Sequence, residues 1–157
     1  MSDLVYILIL AAVALNGILV GASLDQSIKQ LPARHRIGAV AYSAYAKASD
    51  LGNGIVWYAL LGIGAALLTI VMAIVVFTQR NSAPFALPVY LAAILSILHS
   101  LATTQAAPTM FSQRRHENDE AALTTIFNRF EHWQTIRAIL QLLTFLALLW
   151  ALLVYVR

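Results

Sequence analysis

The chain has 157 residues, of which 61% are hydrophobic and only 11% are charged, where a soluble domain carries about 25% charged residues. It contains no cysteine, which excludes disulfide scaffolds, thiolate nucleophiles and CxxC redox chemistry. The net charge of +3 comes from basic residues flanking apolar runs, so anionic lipid headgroups are nearer partners for them than nucleic acid.

No Asp, Glu, Lys or Arg occurs in 4–24, 51–79, 81–113 or 138–156. Each run can supply the ~20 apolar residues that a helix needs to cross a bilayer. Lipid offers no partners for backbone amides, so such runs become helices. They lack the polar/apolar alternation of a barrel strand. The expected fold is all-α: an integral membrane four-helix bundle with amphipathic cytoplasmic connections, its helices over about 4–24, 51–77, 85–107 and 120–155.

The first helix opens on Met1-Ser2-Asp3 without a basic segment, and its apolar run exceeds the ~7–15 residues of a signal peptide. It is expected to be retained. Its Gly17-x-x-x-Gly21 pair, with Ala14 and Ala22, would let another helix approach closely, as would Gly62, Ala66 and Ala73 on the second. These small-residue faces suit packing within one chain, a homo-oligomer or a membrane protein partner.

The connection 25–50 carries Ile37, Val40, Ala41, Ala44, Tyr45 and Ala48 at helical spacing, which predicts a short amphipathic helix against the membrane surface. After the second helix, 79–83 is expected to be a tight turn ended by Pro84. Pro108 is expected to help stop the third helix. The charged stretch 112–120 should lie in water. Beyond it, Leu123, Ile126, Phe127, Phe130, Trp133, Ile136 and Arg137 recur at helical spacing without a breaker, so one long last helix is expected.

Lys29, Arg34, Arg36 and Lys47 lie in the first connection, and Arg114, Arg115, Arg129 and Arg137 between the third and fourth apolar runs. Only Arg80 and Arg157 fall on the other side. The positive-inside rule then puts both long connections in the cytoplasm and both termini outside, in an inner membrane.

Polar residues within membrane helices are costly and usually face a bundle interior or cavity. Counted from the cytoplasmic ends, Asn16, His99, Trp57, Tyr58, Gln141 and Thr144 fall at one depth, roughly 12 Å in. Asp25, Gln26, Lys47, Asp50, Asn53, Thr103, Thr104, Gln105, Glu131, His132 and Arg137 form a denser shell above them. The outer half is nearly free of such groups, which argues against a pore or transporter and suits a pocket open to the cytoplasmic leaflet. Asn16 reads best as interhelical glue. His99 reads either as glue or as a group working in a pocket. Arg137 reads as an anchor in the headgroup zone beside Trp133, or as a cation turned inward toward Asp50, Asp25 or an acidic ligand oxygen. His132 and Glu131 are adjacent and point apart, and the four histidines have no i,i+4 pair, so no metal site is expected. No haem can join His99 to His132 across their difference in depth.

The segment 129–137, Arg-Phe-Glu-His-Trp-Gln-Thr-Ile-Arg, resembles the pattern before the last helix in a family of small four-helix membrane proteins that includes the fungal anthrone oxygenases. Phe130, Trp133 and Arg137 carry the match, and the Gly-rich first helix and a first connection ending near Asn53 agree with it. Gln134 stands where the family often has Asn, and Ala106 and Met110 stand around Pro108 where it often has Asn on both sides. The resemblance implies a hydrophobic or aromatic small-molecule ligand and cofactor-free oxygenase chemistry. A base at His99 or His132 would take a proton, and Arg137 and Asn53 would stabilise the anion. The residues expected to line the ligand are Asn16, Asp50, Asn53, Trp57, Tyr58, Trp133 and Gln141. The alternative is a non-enzymatic accessory or assembly subunit whose polar layer is satisfied internally.

Overall fold

The computed structural model describes residues 3–79 and 84–157. Residues 80–83 of the expected turn, including Arg80 and Ser82, lie outside the described residues. Helix α1 spans Asp3–Asp25 and continues through a π-helical turn, Gln26–Gln30, into α2, Leu31–Ile37. The chain breaks at Gly38, whose φ of 85° a residue with a Cβ rarely adopts. Helix α3, Ala39–Ala48, follows and passes through a second π-helical segment, Ser49–Asn53, into α4, Gly54–Thr78. Gly52 leaves helical geometry there, with ψ −120°. Helix α5 is Ala86–Ser112, a 3-10 turn spans Gln113–Arg115, and α6 is Glu120–Val156.

Four of these helical stretches are long and apolar enough to cross a membrane. The fold is therefore an all-α four-helix bundle, and the chain is a multi-pass membrane protein by span length and composition. The long helices form a ring in which α1 touches α4 and α6, while α5 touches α4 and α6. Small side chains turn inward, including Ala12, Ala65, Ala92, Ala106, Ala147 and Ala151. Large ones such as Leu60, Leu67, Phe77, Ile94 and Leu153 turn outward. This arrangement fits a bilayer, where close backbone approach and not water exclusion drives packing.

Two larger apolar cores lie at the two ends of the bundle, with a small one of Leu19, Leu61 and Ala65 besides. At the end holding the termini, Val5, Ile9, Met72, Val76, Phe85, Val89, Leu148 and Ala151 form a wholly apolar cluster. Tyr155 closes it, stacked on Tyr6 at 5.9 Å and edge-on to Phe85 at 5.0 Å. At the loop end, α2 and α3 pack against the first turns of α6 and the last of α5. There Leu31, Tyr42, Ala46, Ala106, Met110, Leu123, Phe127 and Phe130 are buried together, with Tyr42 edge-on to Phe127 at 4.9 Å.

Polar contacts fasten this second core. Asp119 caps α6 by accepting from Ala122 N at 2.9 Å. The next residue, Glu120, accepts from Ala39 N at 2.8 Å and Val40 N at 3.2 Å. A carboxylate from α6 thus satisfies the free amides at the start of α3 and complements its dipole. Ser43 Oγ donates to Gln113 Oε1 at 2.9 Å, both residues being buried. Arg34 donates to Asn128 and Glu131.

One expectation is corrected. Pro108 lies inside α5, which runs on to Ser112. Its ring is exposed, while Ala106 and Met110 on the opposite face hold the final turn in the loop-end core. Packing there outweighs the one backbone hydrogen bond that a proline removes. Ile37 and, on α3, Ala41, Ala44, Tyr45 and Ala48, the face expected against the membrane surface, are exposed, while Ala39, Tyr42, Ser43 and Ala46 pack against the bundle. The helix is apolar on both faces, and the face that packs also carries Ser43 for Gln113.

Candidate functional site

Two polar assemblies lie in the loop-end half of the bundle. The first joins three helices. Asn16 on α1 donates to Thr69 Oγ1 on α4 at 3.1 Å and accepts from Gln141 Nε2 on α6 at 2.8 Å. Asn16 Nδ2 also reaches Ala12 O at 2.9 Å, and Thr69 Oγ1 donates to Ala65 O at 2.7 Å. Asn16, Thr69 and Gln141 are all buried. This is interhelical glue, worth about 0.6–2 kcal/mol per bond in a membrane. Asn16 and Gln141, expected at the ligand, do not line the cavity described next.

That cavity, of about 590 Å³, lies between α4 and α5. Such a volume is typical of a small-molecule site. On the α4 side it is walled by Ile55, Tyr58, Gly62, Ile63, Ala66, Leu67 and Ile70. His99, Ser100, Thr103, Met110 and Phe111 contribute from α5, Phe130 and Arg137 from α6, and Ser23, Gln26 and Asp50 from the α1 end and the second π-helical segment. Asp50, Phe130 and Met110 mark its loop end, and Ile70 lies ~22 Å along α4 from Ile55. The polar lining clusters toward the loop end. The far end is apolar.

His99 is 4% exposed, and its Nε2 has no hydrogen-bond partner. A histidine serving only as glue would have that nitrogen bonded to a neighbouring helix. Instead the imidazole borders empty space, with the Ser100 hydroxyl turned away to its own helix at Ser96 O. Arg137 is held by one contact: Nη1 donates to Gln134 Oε1 at 2.9 Å, while its buried Nε has no partner. Gln134 is in turn fixed to α1 through Ser23 O at 3.3 Å and Ser27 Oγ at 3.4 Å. The salt bridge expected between Arg137 and Asp50 is not formed. Asp50 accepts from Gln26 Nε2 at 3.2 Å. Arg137 lies seven residues beyond Phe130, ~10 Å deeper than the loop end of the cavity, which separates the two charges. Asp25 is taken by Lys29 and Gln30.

The structure thus brings His99, Arg137, Asp50 and Tyr58 to one cavity. It does not bring the other candidates there. Asn53 is exposed, Trp57 is exposed on the outer face of α4, and His132 is exposed on α6. Trp133 lies against the His132 ring, 5.7 Å between centroids, and faces a shallow groove with Leu98 and Leu101 on the other side of α5. Sequence reasoning missed Ser23, Gly62 and Phe111 in the wall, Thr69 in the polar node and Gln134 behind Arg137. Gly62 had a readable signal, since a glycine inside an apolar helix leaves room beside it. No group of three or more His, Cys, Asp or Glu residues is placed to hold a metal ion among the described residues.

No family model matches the chain, and neither a curated protein nor a solved structure matches it.

Proposed function

We propose that this bundle is a small-molecule-binding protein of the inner membrane, taking a hydrophobic or aromatic ligand into the cavity between α4 and α5. The observation that carries this reading is the buried, unpartnered Nε2 of His99 in the wall of that cavity. Burying an unsatisfied ring nitrogen costs about 1–3 kcal/mol, a cost that a ligand donor or acceptor would remove. Arg137, which also carries a buried nitrogen without a partner, lines the same cavity.

The resemblance to anthrone oxygenases extends this to a reaction. His99 would accept a proton from an acidified carbon of the substrate, and Arg137 would stabilise the resulting anion. The anion would then combine with dioxygen without a resident cofactor. The non-enzymatic alternative draws on the Asn16–Thr69–Gln141 node, which is closed and internally bonded. It leaves the His99 cavity without a role, so the ligand-binding reading stands ahead.

The test uses Gly62, where an added Cβ would meet nothing within 4 Å. Gly62→Phe should fill the cavity and abolish binding of hydrophobic ligands. Removal of a mid-helix glycine also favours the helix by up to ~1 kcal/mol, so the protein should keep its thermal stability. Undiminished binding in this variant would remove the cavity from the function.

For orientation, we propose that the loop end is cytoplasmic and the termini are outside, as the basic residues require. The native chain has no cysteine, so single cysteines at Ser112 and Ser82 give a clean readout. Ser112→Cys should react with an impermeant maleimide only from the cytoplasmic side, and Ser82→Cys only from the opposite side. Labelling of both from one face would contradict the four-span topology.

A further inference from the structure

The cavity wall contains two groups of opposite formal charge, a part-buried Arg137 and a buried Asp50, that do not pair with each other. Asp50 is 8% exposed and sits at the loop end of the cavity. Arg137 lies one to two helical turns deeper, part-buried, its Nη1 held by Gln134 and its Nε without a partner. Leaving a buried charge without a counter-ion is strongly unfavourable. A neutral ligand would leave both charges uncompensated, and a simple anion would leave Asp50 uncompensated.

From this ordering we infer that the cavity takes a zwitterionic membrane lipid whose head carries an amine outboard of a phosphate. The inference rests on the cavity reading above and takes its hydrophobic rather than its aromatic branch. The ammonium meets Asp50 at the loop end. The phosphate oxygens meet the Arg137 guanidinium, beside His99. The chain continues past Gly62 and Ala66 toward Ile70. Head at the loop end and chain toward the bundle centre is also how a lipid stands in its own leaflet. Entry is lateral, because Ile63 and Leu67 belong both to the cavity wall and to the outward surface of α4, where they are 61% and 57% exposed. The bilayer is therefore the source. Asp50, Tyr58, His99 and Arg137 are the titratable groups lining the cavity, so no further lining cation competes for the phosphate.

The experiment reconstitutes the full chain into vesicles of phosphatidylethanolamine and phosphatidylglycerol in equal amounts. The protein is then extracted in mild detergent and the retained lipid is read by native mass spectrometry. The wild type should keep one lipid per bundle and prefer the amine-bearing head by about tenfold, the ratio expected for one charge-assisted contact. Asp50→Asn should bring that preference to about one while retention persists. Arg137→Gln should lose retention of both lipids. Equal or greater retention of the amine-free lipid by the wild type would overturn the assignment, as would an unchanged preference in Asp50→Asn. In either case, retention that Gly62→Phe abolishes would leave the cavity reading standing. Absence of any retained lipid would overturn the lipid assignment, while the Gly62→Phe binding test would still decide the cavity by itself.

Discussion

The two ends of the bundle are built by different means. At the terminal end, Met72, Phe85, Val89 and Leu148 interlock without a polar group among them. At the loop end, Tyr42, Leu123, Phe127 and Phe130 make a second core that sits among capping carboxylates, buried glutamines and an open cavity. Apolar packing alone holds helices side by side. It does not prescribe where a connection such as α2–α3 must rest. Glu120 at the start of α3 and Ser43 against Gln113 supply that address, and the same polar end leaves His99 and Arg137 with unused hydrogen-bonding capacity. The difference suggests a division of labour in which one end fixes the bundle and the other recognises something.

The largest effect that could break this contrast comes from the loop-end core. Phe127→Ala should cost about 3–5 kcal/mol locally. It should release α2 and α3 to fast amide exchange, while the terminal-end amides of α1 and α6 stay protected. Uniform loss of protection along all four spans would mean that the two cores are one cooperative unit. A smaller effect is expected from Glu120→Ala. It removes the acceptor of two backbone amides and should cost about 0.5–2 kcal/mol, again confined to α3. Loss of protection in α3 no greater than elsewhere would show that apolar contacts alone seat it.

The smallest effect concerns pH. Lys47 Nζ donates to Glu117 at 2.9 Å, which holds the Glu117 carboxyl below its ordinary range. A carboxyl with a depressed folded-state pKa adds stability that is present above its unfolded value, near 4.5, and is lost as pH falls through the lower folded value. The pair is exposed, so the gain is small and screened by salt. Lys47→Ala should therefore lower the melting temperature slightly at neutral pH and low salt, with the gap from wild type closing in acid. A gap that persists in acid would assign the effect of Lys47 to the packing of its alkyl stem.

The four spans were legible because hydropathy accumulates over some twenty residues, and no local detail can reverse such a sum. The long last helix was legible for a similar reason: Leu123, Phe127 and Phe130 keep one face without a breaker. Finer features depend on which of several near-equivalent surfaces packs. Alanines surround α3, so its buried face is chosen by Ser43 and Gln113, which are seventy positions apart in sequence. Pro108 reads as a stop, yet a helix continues when its buried face is held on both sides. Depth counting put Tyr58 and His99 in one layer, and both line the cavity, because rise per residue is nearly constant. Arg137 and Asp50 fell in the shell above and line it too, without pairing. Depth could not give rotation about each axis: Trp57 shares the layer and faces outward, and Asn16 and Gln141 share it and face one another.

Retention of a ligand against His99 is most directly visible in an experimental density map of the protein embedded in lipid nanodiscs. Ordered non-protein density should fill the space between α4 and α5, within hydrogen-bonding distance of His99 Nε2 and extending past Gly62 toward Ile70. A map in which α4 and α5 close on each other, with His99 Nε2 bonded to a neighbouring helix and no intervening density, would contradict a binding site there.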